Sequence, residues 1–424
     1  MSYLGRHTRG TRVFLGRSCV AFLACLIPLS AEAGSNESTL VGTVFGAATL
    51  VSANDIHVFV NQRGQIVWRE YQRPFATAIQ RQTFSSNPNV SSSFAAVAPD
   101  ASAAVVIVGT TAWYLDGTKA TSGVLDDLVG SSVGGGFPSV ALAWQSGGPA
   151  YLAVLRRSPS NGWLVPTLLG STPGAANPFA VVWNGTNPYT YVHVVAEPAG
   201  DIVLGYNHEY DVINSGAFVG TQSVTFADQA DVVSGNLDSL GRAVFFLVTV
   251  PGAIIPAGYQ QPLWLLTRDA AGVFSANQVA EVNDGFIVTD MVTANENAVV
   301  LQANNGGSSS QEFAVVAMWF DGTTWSSSTV TTGVSNGQGL EPRPLAAIGN
   351  PPSVLVAQNG NAVFYDWVGG GWQPYTLGQM DSPAAFKQGC SCDFQSGKST
   401  PLLLLSLVSF CFSWRRRPGP SGPG

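Results

Sequence analysis

Along residues 41–380, apolar and polar positions alternate in short runs broken by Gly, Asn and Asp. Alternation with period two is the mark of a half-buried strand. Six segments share one layout, an alternating strand, a tight turn and a second strand opened by an aromatic. They are VFVNQRGQIVWREY (58–71), AWYLDGTKAT (112–121), YLAVLRRSPSNGWLVPTLL (151–169), LWLLTRDAAGVFSANQV (263–279), AMWFDGTTWSSSTV (317–330) and VFYDWVGGGWQPYTL (363–377). The marker after the turn is Trp68, Trp163, Phe274, Trp325 or Trp372, with Lys119 in its place in the second segment. Successive markers lie 51, 44, 111, 51 and 47 residues apart, and the double gap predicts one hidden unit near Phe226.

Further strands precede several of these hairpins: SVALAWQ (139–145), AVFFLVTV (243–250), AVVLQAN (298–304) and SVLVAQN (353–359). That makes roughly four strands per unit. A lone hairpin is marginal in water, so the units must pack on one another. Four-stranded units of about 48 residues are β-propeller blades. The pattern therefore predicts an all-β chain, a β-propeller of seven four-stranded blades over 41–380. Six or eight blades fit the same span. A sandwich or jelly roll would also supply short strands, but not a hairpin recurring at this interval. One short stretch, Ser122 to Val129, is a helix candidate of about two turns.

The two ends read differently. Arg6, Arg9, Arg12 and Arg17 precede the apolar run SCVAFLACLIPL and the exit Ala31-Glu32-Ala33, the order of a secretory signal peptide over 1–33. A linker of residues 34–40 follows. At the far end, GCSC (389–392) lies in a linker over 381–400, ahead of an apolar block at 401–414 and a basic Pro/Gly tail at 415–424. As a helix the 14-residue block would span about 21 Å, short of a 30 Å hydrocarbon core. A short stop followed by arginines suits a transient hold during export, with the positive charges kept inside. A weak transmembrane anchor is the plainer reading of the same block.

This arrangement resembles the C-terminal MYXO-CTERM sorting signal of myxobacterial surface proteins. The resemblance implies that Gly389-Cys390-Ser391-Cys392 is the motif, Arg415, Arg416 and Arg417 the cluster, and a membrane protease the processing partner. It favours Cys390 or Cys392 over Cys411 as the attachment point. It implies an exported protein, at the cell surface or outer membrane of a bacterium and held to the membrane by its processed terminus. The body loosely resembles secreted propellers whose blades carry aromatics around a Gly turn; WFDGTTW (319–325) matches best, and the likeness concerns architecture only.

Composition narrows the chemistry. Between Gly34 and Gly389 there are 11 Lys and Arg against 24 Asp and Glu, a net charge near −13. Such a surface repels phosphate backbones, so no nucleic-acid partner is expected. All five cysteines lie in the leader or the tail segment, which excludes a thiol enzyme or cysteine-held metal in the body. His57, His193 and His208 have no zinc-ligand spacing and fall in separate units, and no metal site or cofactor is expected. Calcium would suit the turns at Asp116, Asp321 and Asn283-Asp284 by its oxygen preference, but no EF-type loop accompanies them. These acidic residues are expected to shape turns.

Two clusters are binding candidates. Tyr189, Tyr191 and His193 alternate in YTYVH and would line one strand face, a surface for a glycan or protein ligand; cross-strand packing is the more ordinary reading of the stripe. His208 and Glu209 belong to the polar run HEYD, a binding loop or a solvated turn. GSSVG (130–134) and GVSNG (333–337) match the nucleophile-elbow string without the helix that motif needs. Secreted sialidases use an arginine triad with paired carboxylates, yet FDGTTW lacks the leading serine of their repeat box. The sequence thus points to a non-enzymatic recognition or scaffold module. A surface glycan-processing hydrolase or lyase working at the channel mouth is the alternative, marked by arginines and carboxylates converging there.

Overall fold

The second strand of each unit is nearly all apolar because both of its faces are covered. AVVIV (Ala104–Val108) and AVFFLVTV (Ala243–Val250) bury every side chain. By contrast the fourth strand AFVGTQS (Ala217–Ser223) is largely exposed. Strands buried on both sides flanked by a solvated edge are what a radial stack of sheets requires.

The computed structural model describes residues 46–379 except 63–64, 86–92, 109–110, 126–139, 158–163, 187–191, 207, 227–228, 251–259, 283–286, 305–310, 336–340 and 360. The leader, the tail with Cys390, Cys392 and Arg415 to Arg417, and also Tyr189, Tyr191, Trp163, GSSVG and Asn283-Asp284 lie outside the described residues. The rest forms seven four-stranded antiparallel sheets, each made of consecutive strands. These blades cover 46–85, 93–124, 140–184, 193–223, 229–282, 287–335 and 343–379. The first strand of each blade neighbours the first strand of the next, and that of blade 7 returns to that of blade 1. The ring is a seven-bladed β-propeller, which removes six, eight and the sandwich from consideration.

Three sequence readings need correction. Ser122 to Val124 belong to a strand, Ala120–Val124, and not to a helix. The aromatic markers mix two hairpins: Trp68 sits inside the third strand of blade 1 (Gln65–Gln72), whereas Phe274, Trp325 and Trp372 follow the turn before the fourth strand. The hidden unit is blade 4, whose aromatic after the turn Asn214-Ser215-Gly216 is Phe218, exposed to solvent. First strands of successive blades begin 47, 47, 53, 36, 58 and 56 residues apart, so the uneven marker spacing reflects unequal blades as well as shifting between hairpins.

The acidic turns work as expected. Asp116 Oδ1 accepts from the amides of Thr118 (2.9 Å) and Lys119 (2.5 Å) and from the Thr118 hydroxyl (2.8 Å). Asp321 repeats this with Thr323 and Thr324 in blade 6. The Thr323 hydroxyl and these amides hold its carboxyl down at about 2. Gly117 and Gly322 supply the positive φ that follows each aspartate, 81° and 97°.

Apolar side chains fill every seam. Between blades 4 and 5, Val195, Val203, Tyr210 and Val212 meet Phe245, Leu247 and Leu266. Phe245 fits because Gly205 and Gly235 lack side chains: a Cβ there would stand 2.9 Å and 2.5 Å from its ring. Among the described residues blades 1 and 7 share no strand, and side chains join them. Ile56, Val58 and Tyr71 pack on Leu355 and Phe364, Phe75 meets Phe364 and Tyr375 edge-on at 5.1 and 5.4 Å, and Arg73 Nη2 bonds Asp366 Oδ2 at 2.7 Å. Phe75 holds φ at 66°. That strain, on the order of 1 kcal/mol, is offset by burying the ring, about 2 kcal/mol.

One seam carries a buried charge cluster. Arg268 of blade 5 donates to Glu197 Oε2 (2.6 Å) and Asp201 Oδ2 (2.8 Å) of blade 4. Glu197 Oε1 takes the amide of Ala243 (2.8 Å), and its carbonyl takes Gln145 Nε2 of blade 3 (3.1 Å). Burial alone would raise the Asp201 pKa, but bonds from Asn214 and Arg268 bring it below its ordinary value. Arg268→Ala leaves two carboxylates facing each other in a buried seam and should lower unfolding free energy by about 3–5 kcal/mol. Urea unfolding followed by fluorescence measures it; a loss of under about 1 kcal/mol would mean that the cluster is as weak as a surface pair.

Candidate functional site

The topology separates two faces. In a four-stranded meander the first–second and third–fourth turns leave from one end, and the second–third and blade-to-blade connections from the other. On the first end no connection exceeds the seven residues 172–178. On the second lie the long ones: fifteen residues at 125–139, ten at 251–260 and eight at 185–192. Connection length is thus unequal between the two ends of the ring.

The described binding candidates all belong to that end of blade 4. His193 opens the first strand, His193–Ala196, opposite Gly205. His208 sits in the turn between second and third strands, and its carbonyl accepts the amide of Val224 (2.9 Å). Glu209 opens the third strand, Glu209–Asn214. His193 and His208 therefore share one blade, contrary to the expectation that the histidines fall in separate units. Strand parity divides the set, however. His193 lies on the side of Val195 and Tyr210, toward blade 5, while Glu209 lies on the side of Ile213, toward blade 3. The imidazole and the carboxylate cannot work on one bond from opposite faces of a sheet.

His193 keeps part of its surface open, yet loss of hydration pushes its pKa down to about 4. It is neutral at physiological pH.

A second polar cluster escaped the sequence reading. Asp55, His57 and Glu70 of blade 1 place their ligand atoms within 4.8 Å of one another. The signal was there: DIH spaces Asp55 and His57 by two, and hairpin register sets His57 opposite Glu70. The chemistry does not suit a metal. Trp68 Nε1–H donates to His57 Nδ1 at 2.9 Å, so the proton of the neutral ring sits on Nε2, facing Asp55 Oδ1 at 3.3 Å. A metal needs the Nε2 lone pair that this tautomer lacks. Glu70 is already held by Gln72 Nε2 (2.5 Å) and by the Arg81 guanidinium. Desolvation lowers the His57 pKa and raises that of Asp55. The group is a buried polar cluster in which Trp68 fixes the tautomer and loss of hydration disfavours the imidazolium.

The arginines are dispersed. Arg73 pairs with Asp366 between blades 1 and 7, Arg81 with Glu70 in blade 1, and Arg242 with Asp238 in blade 5. Arg268 joins Glu197 and Asp201 between blades 4 and 5, and Arg343 joins Asp290 between blades 7 and 6. Among the described residues these five guanidinium groups lock framework at different positions around the ring and do not gather at one mouth.

No family model matches this chain, and no curated protein matches it. Solved structures similar to it include a prolyl endopeptidase at 12% identity and TM-score 0.49, over 82% of this chain and 51% of the other. The chain thus spans about half the length of that endopeptidase. An oligogalacturonate lyase in complex with manganese is similar at 10% identity and TM-score 0.45, over 82% and 91%. The WD40 domain of SCAP from fission yeast is similar at 9% and 0.38, over 77% and 82%. At such values the likeness carries nothing about activity.

A pH dependence follows from the two buried imidazoles. The unfolded chain binds a proton at His193 near the ordinary 6.5, the folded one only near 4. Between those values the unfolded state holds more protons, so stability rises with pH and is lost as pH falls, by up to about 1.4 kcal/mol per pH unit for this group. His193→Gln should flatten part of that slope, with His57 retaining the same sign. Melting temperatures from pH 4 to 7 measure it; an unchanged slope would show that His193 titrates normally.

Proposed function

We propose that this chain is an exported, membrane-tethered propeller of a bacterial surface that recognises a glycan or protein partner without chemistry of its own. The observation that carries the reading is the unequal pair of faces: short turns on one, all the long connections on the other. A binding module needs one variable surface on a rigid support, and a ring sealed by apolar seams provides the support. Five arginines, Arg73, Arg81, Arg242, Arg268 and Arg343, are engaged in ion pairs within or between blades, which supports recognition over glycan cleavage. The signal peptide and the GCSC–apolar–arginine tail support export followed by processing by a membrane protease, with Cys390 or Cys392 as the retained end.

Two measurements on the full chain test this. Expressed in an exporting bacterium, the mature protein should end near Cys390 with an added lipid-sized mass, and a double Cys390→Ala, Cys392→Ala variant should lose surface retention. An intact tail through Gly424 would end the sorting proposal. On polysaccharide and peptide arrays the purified body should be captured, and capture should fail when 185–192 is replaced by a Gly-Ser linker of equal length. Release of reducing ends or unsaturated sugars from any arrayed polysaccharide would replace recognition by catalysis.

A further inference from the structure

Blades 5 and 6 each open the turn before the fourth strand with an aspartate, whose amide bonds a carbonyl four residues on in blade 5 and three in blade 6, and these aspartates align the third strands. Asp269 Oδ1 accepts the amide of Val273 (2.8 Å), as Asp321 Oδ1 accepts that of Thr324 (2.8 Å). Counting back five residues from each aspartate equates Trp264 with Val316. The cross-strand partners agree: Trp264 faces Leu247 and Val316 faces Leu301. Two residues further on, Thr249 corresponds to Ala303.

In the seam between blades 4 and 5 this position is filled. Trp264 packs with that cluster, meets Phe226 edge-on at 5.2 Å and donates its indole N–H to Thr249 Oγ1 at 3.3 Å. In the seam between blades 5 and 6, among the described residues, the same place holds Val316 and Ala303, with Ala314 opposite Ala303. A cavity of about 240 Å³ results, lined chiefly by Leu301, Ala303, Ala314, Val316 and Met318 and by Val282 of blade 5. Ser327, Thr329 and Thr332 line the outer wall, and Glu281, exposed to solvent, stands at the rim.

We propose that this gap is a binding site for a small neutral or cationic aryl compound of indole or phenol size. An apolar cavity of about 150 Å³ is enough to hold benzene, so this one has room for a ring carrying a polar substituent. The vacancy stands where the neighbouring seam places an indole hydrogen-bonded to a threonine. The hydroxyls of Ser327, Thr329 and Thr332 offer acceptors to a ligand N–H or O–H. The Glu281 carboxylate favours an ammonium and disfavours an anion at the mouth.

The test uses the full chain labelled with ¹³C at methionine methyls and titrated with indole, tyramine and 4-hydroxyphenylacetate. Indole and tyramine should shift the Met318 methyl saturably with Kd of about 1 mM or tighter. Met291, in the same seam but outside the cavity lining, should stay in place. The anionic probe should bind at least tenfold more weakly, and Glu281→Gln should narrow that difference. Val316→Trp should abolish binding without lowering the melting temperature, because it rebuilds the filled arrangement; if it fails to fold, Ala303→Leu fills the space from the facing strand. Absence of a saturable Met318 shift with wild-type protein, or full binding in a folded filled variant, overturns the proposal.

Discussion

Burial of both faces of every blade is the constraint on which the rest depends. Each sheet meets two neighbours, so the second strands are mostly apolar; that of blade 1, with Asp55 and His57, is an exception. At about 25 cal/mol per Å² of apolar surface removed from water, stability rests on seven seams, with no cysteine anywhere in the body to assist. Ring closure follows the same rule. Blades 1 and 7 interlock by Phe75, Phe364, Tyr375 and the Arg73–Asp366 pair.

Polar groups in the seams are matched to this environment. Arg268 is hydrogen-bonded to Glu197 and Asp201 across the seam between blades 4 and 5, where an unpaired charge would be costly. Within blade 1, Trp68 donates to His57 Nδ1. The commitment of such groups also bears on function. Guanidinium and carboxylate groups engaged in framework are not free to bind a substrate, so recognition falls to the connections and to gaps in the apolar filling. The cavity at Val316 is one such gap, created by the size of a side chain and not by any special chemistry.

Much of the fold was legible. Period two, Asp-Gly turns and recurrence near 48 residues pointed to four-stranded blades, since these features are local consequences of backbone geometry. Blade phase was less legible. Trp68 lies in one hairpin and Trp372 in another, and aromatic-after-turn marks any hairpin whose next strand packs on a neighbour. The candidate site was legible only in part. His193 and His208 do share an end of blade 4, but parity along paired strands sends His193 and Glu209 to opposite faces. The Asp55–His57–Glu70 group was missed because strand spacing gives one pair, Asp55 and His57, and only hairpin register adds Glu70.

The sequence by itself determined strand content, turn chemistry and the apolar character of most second strands. Each depends on residues close together in the chain. The tertiary structure alone decided which charges pair across seams, which faces the polar candidates occupy, and where a valine leaves space that a tryptophan fills one blade earlier. Those depend on contacts between residues tens to hundreds of positions apart, such as Arg73 with Asp366, and local periodicity carries no record of how neighbouring blades meet.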